Sequence, residues 1–170
     1  MKQIIALILC LLLSVVCFPV SSLAEVQFEQ QTLGKLVSET IEYLEDGTQI
    51  VTTVYDTTPY ENNGVAPVAT TITKSGSKTA TGKNSDGDVL WTLTVHGTFR
   101  VVTGSSATCT ASSYSYTAPG SGWSLKSGSA TKSGNVATAN GIFVKKFLGI
   151  TTETRDVTVN LVCSTSGTLS

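Results

Sequence analysis

From residue 84 to residue 102 the chain alternates apolar and polar side chains. Trp91, Leu93, Val95, Phe99 and Val101 share one parity, with Gly97 among them, and Thr92, Thr94, His96, Thr98 and Arg100 share the other. A period of two is the pattern of a strand with one buried face. Ser85-Asp86-Gly87 ahead of it supplies a tight turn, so the pattern predicts the second arm of a hairpin.

The same reading extends to both sides. Residues 38–44 and 49–55, joined by Asp46-Gly47, predict an earlier hairpin, with Glu39, Glu42, Glu45 and Asp46 on an exposed face or turn. Residues 68–73 and 78–83 predict two short Thr-rich strands around a Ser75-Gly76-Ser77 turn. In residues 104–117, Ala107, Cys109 and Ala111 fall on one parity and Tyr114 and Tyr116 on the other, which predicts a strand with Cys109 inward and the tyrosines outward. Three more strands are expected at 123–130, 136–147 and 150–164, separated by Gly-containing turns; in the last, Val157, Val159, Leu161 and Cys163 share one parity. Pro59, Asn62-Asn63-Gly64 and Pro67 mark a loop.

No helical stripe interrupts the series after residue 25. The expectation is an all-β chain folded as an antiparallel β-sandwich, immunoglobulin-like in general architecture, with one disulfide. Its domains are a tail, hairpin and loop at 25–67 and the sandwich at 68–170. Of the 146 residues after position 24, 44 are Ser or Thr; because the apolar alternation persists among them, they suit solvent-facing strand positions and not disorder.

Residues 1–24 set the compartment. Lys2 begins a positive segment, residues 4–16 are apolar, and Ser22 and Ala24 are small residues at the two positions a signal peptidase reads. The apolar run is shorter than a bilayer span requires. We therefore expect a cleaved signal peptide, a mature chain from Glu25, and a secreted, extracellular protein. The mature chain carries ten Lys and Arg against twelve Asp and Glu, a net charge of about −2. So weak and mixed a charge gives no footprint for nucleic acid or an anionic surface, and neither nucleic acid nor, once the leader is removed, membrane is expected as a partner.

Cys10 and Cys17 leave with the leader, which keeps Cys109 and Cys163. In an exported chain an even pair most simply forms one disulfide. A metal site lacks ligands, since His96 is the only histidine and no CxxC occurs; no cofactor is expected. The series Cys109, Trp123, Cys163 invites comparison with immunoglobulin domains, in which a core tryptophan packs on the inter-sheet disulfide, although Leu161 stands where those domains carry a tyrosine.

Candidate chemistry is sparse. Ser75-Gly76-Ser77-Lys78 and Ser129-Ala130-Thr131-Lys132 match the S-x-x-K nucleophile motif, but without the further motifs and the large α/β scaffold it needs. Asn84, Asp86 and Asp88 offer oxygens to calcium, yet Val95 occupies the position of the closing acid in a calcium loop, and a hairpin turn accounts for them. His96 lies among threonines on the polar face of its strand. Tyr114 and Tyr116, with Tyr60 in the loop, form a possible ligand-stacking platform; cross-strand packing is the plainer account of the pair.

The run Lys74-Ser75-Gly76-Ser77-Lys78, Asn84-Ser85-Asp86-Gly87, Leu90-Trp91, Val95-His96-Gly97-Thr98-Phe99, Trp123 and the ending from Cys163 to Ser170 resembles a family of small uncharacterised proteins secreted by Gram-positive bacteria. The resemblance covers residues 70–170 and implies secretion and a disulfide-bonded β domain; it brings no catalytic residue. The expected function is that of a non-enzymatic extracellular β-sandwich whose partner is a cell-wall glycan, the cell envelope or an extracellular protein. The alternatives are a small secreted hydrolase using His96 with Asp86, Asp88 or a neighbouring serine, and a secreted antagonistic, toxin-like protein.

Overall fold

The computed structural model describes residues 34–59 and 71–170. The leader, the tail before residue 34 and residues 60–70 of the Pro/Asn loop, Tyr60 among them, lie outside the described residues. Eight strands follow one another: β1 Lys35–Tyr43, β2 Gln49–Asp56, β3 Thr71–Lys83, β4 Val89–Val102, β5 Ser106–Thr117, β6 Trp123–Ser133, β7 Val136–Phe147 and β8 Ile150–Val162. They form two antiparallel sheets in the orders β1-β2-β3-β4-β5 and β6-β7-β8, and among the described residues there is no helix. The all-β, sandwich-like expectation therefore holds. The upstream hairpin is not a separate piece: β2 pairs with β3 along eight residues, so β1 and β2 are the first two strands of the larger sheet.

β4 is the centre of the core for the reason its alternation implies. Trp91, Leu93, Val95, Phe99 and Val101 are all at most 2 % exposed, and they meet Ala137, Ala139 and Phe143 of β7 and Val159 and Leu161 of β8 in one apolar cluster. Ala137, Ala139 and Gly141 of β7 are small where β4 is large. A methyl on Gly97 would stand 2.8 Å from the Phe99 ring and 3.0 Å from Ala137 Cβ, so the hydrogen there lets the sheets close. Outside, Thr79 and Thr94 share a hydroxyl hydrogen bond of 2.8 Å and Thr92 and Thr117 one of 2.9 Å, as befits a solvated sheet face.

Three expectations are corrected. The Ser75-Gly76-Ser77 segment is not a turn but the middle of the unbroken β3, in which Gly76 pairs with Gly97. A Cβ at Gly76 would collide with Leu169 Cδ1 and fall 2.8 Å from the Tyr55 carbonyl oxygen; the glycine serves a close approach and not a reversal. The second Lys-Ser-Gly-Ser tetrad behaves alike: Gly128 sits inside β6, opposite Gly141 and under the Tyr114 ring.

The second correction concerns β5. Phe99 pairs with Cys109 but Thr98 pairs with Ala111, so Thr110 is an extra residue, a β-bulge. One added residue inverts parity. Cys109 and the two tyrosines, expected on opposite faces, lie on the same inward side, with Tyr114 opposite Val95 and Tyr116 opposite Leu93.

The third is the immunoglobulin comparison. Each sheet is a simple meander, without the Greek-key exchange of strands that immunoglobulin domains show. Trp123 is buried, but it opens β6, whereas Cys109 donates its N–H to Gly134 in the turn beyond the far end of that strand. About 30 Å of extended chain separates the two along β6, so the tryptophan does not pack where the cysteines lie.

Candidate functional site

At one end of the molecule the β1–β2 turn, the β3–β4 turn, the end of β7 and the start of β8 border a broad, open cleft of about 550 Å³, with Asp46, Asn84, Leu90, Lys145, Glu153 and Arg155 along its sides. Local rules build each wall. Asp46 turns the chain before Gly47, which has φ of +81°, and accepts the Thr48 N–H at 2.9 Å. Asn84 organises the next turn: its Oδ1 accepts N–H groups of Asp86 at 3.1 Å and Asp88 at 2.8 Å, and its Nδ2 donates to Asp88 at 3.0 Å. The Asn84 and Asp88 oxygens weighed above as calcium ligands are thus engaged in an Asx turn, and no His, Cys, Asp and Glu cluster suited to a metal occurs among the described residues.

Arg155 joins the two sheets. Its Nε donates to Glu153 at 2.7 Å and its Nη2 to Asp46, 109 residues away in sequence. A guanidinium held by two carboxylates is fixed in orientation, which removes side-chain entropy from any later binding step. The hydrogen bond to Asp46, first, and that to Glu153 raise the Arg155 pKa still further, so it stays cationic. The Asp46 carboxyl is lowered to about 2, chiefly by the Thr48 N–H, then by the Thr48 hydroxyl and Arg155.

The sign of this linkage gives a prediction. Folding lowers the Asp46 pKa, so its interactions stabilise the fold above a pH of about 4 and are lost as pH falls through about 2. An Asp46→Asn variant should lose less thermal stability over that interval than the native chain does. Superimposable acid melting profiles would show that the turn and Arg155 contacts contribute nothing to folding.

The residues singled out in the sequence fall elsewhere. His96 faces solvent on β4, its Nε2 3.0 Å from the Ser115 hydroxyl, beside a shallow trough of about 180 Å³ lined by Ser75, Thr98, Ser112 and Ser113. Partial burial lowers its pKa below the ordinary histidine value, which keeps the ring neutral at pH 7. Asp88 and Asp86 stand at or beyond the start of the strand, roughly 25 Å or more from His96 along extended chain. Of the tyrosines, Tyr114 is half-buried against the core and over Gly128, while Tyr116 stays exposed at the sheet edge with an edge-on contact to Phe143, ring centroids 6.5 Å apart. The two rings do not form one open platform.

Cys109 and Cys163 are free thiols in the structure, both buried. They flank one turn: Cys109 N–H donates to the Gly134 carbonyl at 2.7 Å and Cys163 N–H to the Asn135 carbonyl at 3.1 Å. Burial raises the pKa of each. Sequence reasoning missed the cleft, because its residues come from two turns and from strands distant in the chain; the acids of the first hairpin and the closely spaced Glu153 and Arg155 are the only signal the sequence carries. Compared with known proteins, the chain matches no family model, no curated protein and no solved structure.

Proposed function

We propose that this is a secreted, non-enzymatic β-sandwich protein that binds a hydroxyl-rich polymer of the cell envelope in the cleft at Asp46 and Arg155. The observation that carries the reading is the convergence there of two carboxylates, Lys145 and a doubly held guanidinium across two sheets. Equal numbers of acids and bases leave such a site near neutral, which disfavours a strongly charged ligand; acceptors and donors side by side suit alcohol groups, each of which is both. The leader-like start and the resemblance to small secreted Gram-positive proteins support export, and the exported form is taken to join Cys109 to Cys163. The hydrolase alternative draws on the His96–Ser115 pair, but His96 shows no carboxylate to orient it among its described partners, so binding is preferred.

The test is co-sedimentation of residues 25–170 with purified cell wall and insoluble polysaccharides, beside an Arg155→Gln/Lys145→Gln variant and a Tyr116→Ala variant. Loss of charge-assisted hydrogen bonds should weaken retention of the cleft variant about tenfold or more, with Tyr116→Ala retained as the native chain is. Equal retention of the cleft variant and the native chain, or selective loss with Tyr116→Ala, would remove the cleft as the site.

A further inference from the structure

The β7–β8 hairpin ends in Lys145-Lys146-Phe147-Leu148-Gly149-Ile150, and its apolar tip is bare: Phe147 is 70 %, Leu148 86 % and Ile150 70 % exposed. Lys146 N–H still bonds to the Gly122 carbonyl at 2.9 Å, but beyond it only the Phe147–Ile150 pair and the two turn residues remain, so the tip projects about 7 Å past its last support. Leu148 adopts φ of +49° and Gly149 φ of +82°, the backbone of a two-residue hairpin turn that prefers Asn or Gly at both positions. Leu148 is the one non-glycine residue with positive φ among the described residues; eight glycines take such conformations. A leucine here is unfavourable twice over, in its backbone and in its exposure to water, and nothing in the fold repays either.

We propose that this tip is a membrane-contacting wedge that enters the headgroup region of an anionic bilayer, with Phe147, Leu148 and Ile150 at the acyl boundary and the lysines against lipid phosphates. The reading goes beyond polymer binding in the cleft and concerns the adjoining hairpin tip, which shares Lys145 with the cleft wall. The tip is convex, as insertion into a deformable interface requires, and its height matches the 5–10 Å depth to which interfacial apolar groups are buried. Charge complements the occupant: Lys145 and Lys146 form a collar directly beneath the apolar residues, while Glu153, opposite Lys145 in register, already accepts from Arg155 Nε. The mean charge of the chain, which argues against a membrane, does not register two lysines gathered under three apolar side chains.

The experiment is sedimentation of residues 25–170, which contain the whole compact unit Leu33–Ser170, with vesicles of phosphatidylcholine alone and of phosphatidylcholine mixed with phosphatidylglycerol. The native chain should bind the mixed vesicles at least about fivefold more than the neutral ones. Leu148→Asn suits the turn better than leucine does, so the variant folds at least as well, yet it should lose about tenfold in vesicle binding. Lys146→Gln should reduce the preference for phosphatidylglycerol, and both variants should keep native retention on cell-wall polymer. No vesicle binding by the native chain, or undiminished binding by Leu148→Asn, overturns the proposal; the first result would point to a protein pocket as the occupant of the tip.

Discussion

Phe143→Ala should lower the stability of the domain by about 3–5 kcal/mol, a large part of the 5–15 kcal/mol that separates typical folded and unfolded chains. Phe143 is fully buried, its ring stacks on Trp91 with centroids 5.0 Å apart and planes at 21°, and Tyr116 meets it edge-on. Truncation removes the area of a whole aromatic side chain, abolishes two ring contacts, and opens a void between sheets whose backbones cannot collapse into it without breaking register. Phe147→Ala, four residues further along the same strand, removes the same atoms from a 70 % exposed position and should shift stability by no more than about 0.5 kcal/mol. Equilibrium urea unfolding of both variants checks the pair. A fall in midpoint for Phe143→Ala at unchanged slope, with Phe147→Ala near native, is the expected result; equal midpoints for the two would mean that β7 does not present Phe143 to the core.

That contrast marks where the sequence stops being legible. β4 announces its buried face because five large apolar residues alternate with polar ones. β7 buries Ala137, Ala139, Gly141 and Phe143 on its inner face, and three of the four are too small to register as an apolar stripe. The strand itself was readable from its flanking turns, but the importance of Phe143 was not. Turns with Gly at positive φ, at Gly47, Gly87 and Gly134, were readable from composition. Gly76 and Gly128 were not distinguishable from them, because a glycine needed for close approach and one needed for reversal look alike until the residue packed against it is known.

The candidate site was still harder to read. The Thr110 bulge moves Tyr114 and Tyr116 to the inner side, and a single-residue change of register leaves no trace in local alternation. The cleft depends on the meeting of Asp46 with Arg155 across two sheets, a tertiary contact that no short-range pattern encodes. The exposed tip was visible as letters, Phe-Leu-Gly-Ile, yet only its projection beyond Gly122 and the positive φ of Leu148 distinguish it from an ordinary strand end. The cleft and the tip are thus defined by how segments meet in space, whereas the pairing of Cys109 and Cys163 is an expectation from count and compartment that the free thiols of the structure do not show.

For that pair, protein collected from the medium, unfolded without reductant and treated with an alkylating reagent should take up no label at Cys109 or Cys163, and should take up two labels after reduction. The compartment argument makes the disulfide the favoured state of an exported pair, and the fold supplies reasons for it to persist. Both sulfurs are buried in the common core, and both backbones are tied to consecutive carbonyls of the β6–β7 turn, which limits their drift. Burial raises the pKa of both thiols, and at Cys163 the neighbouring Cys109 adds to the effect, so each is a poor leaving group when an external thiolate attacks the bond, and burial also limits access to it. The closed loop of about 55 residues corresponds to roughly 4 kcal/mol of chain entropy, so reduction should lower the urea midpoint strongly. Cys109→Ser/Cys163→Ser should match the reduced native chain to within the smaller cost of two buried hydroxyls. Full labelling of both cysteines before reduction would show that the pair serves the core as two apolar thiols, and the reduced and native midpoints should then coincide.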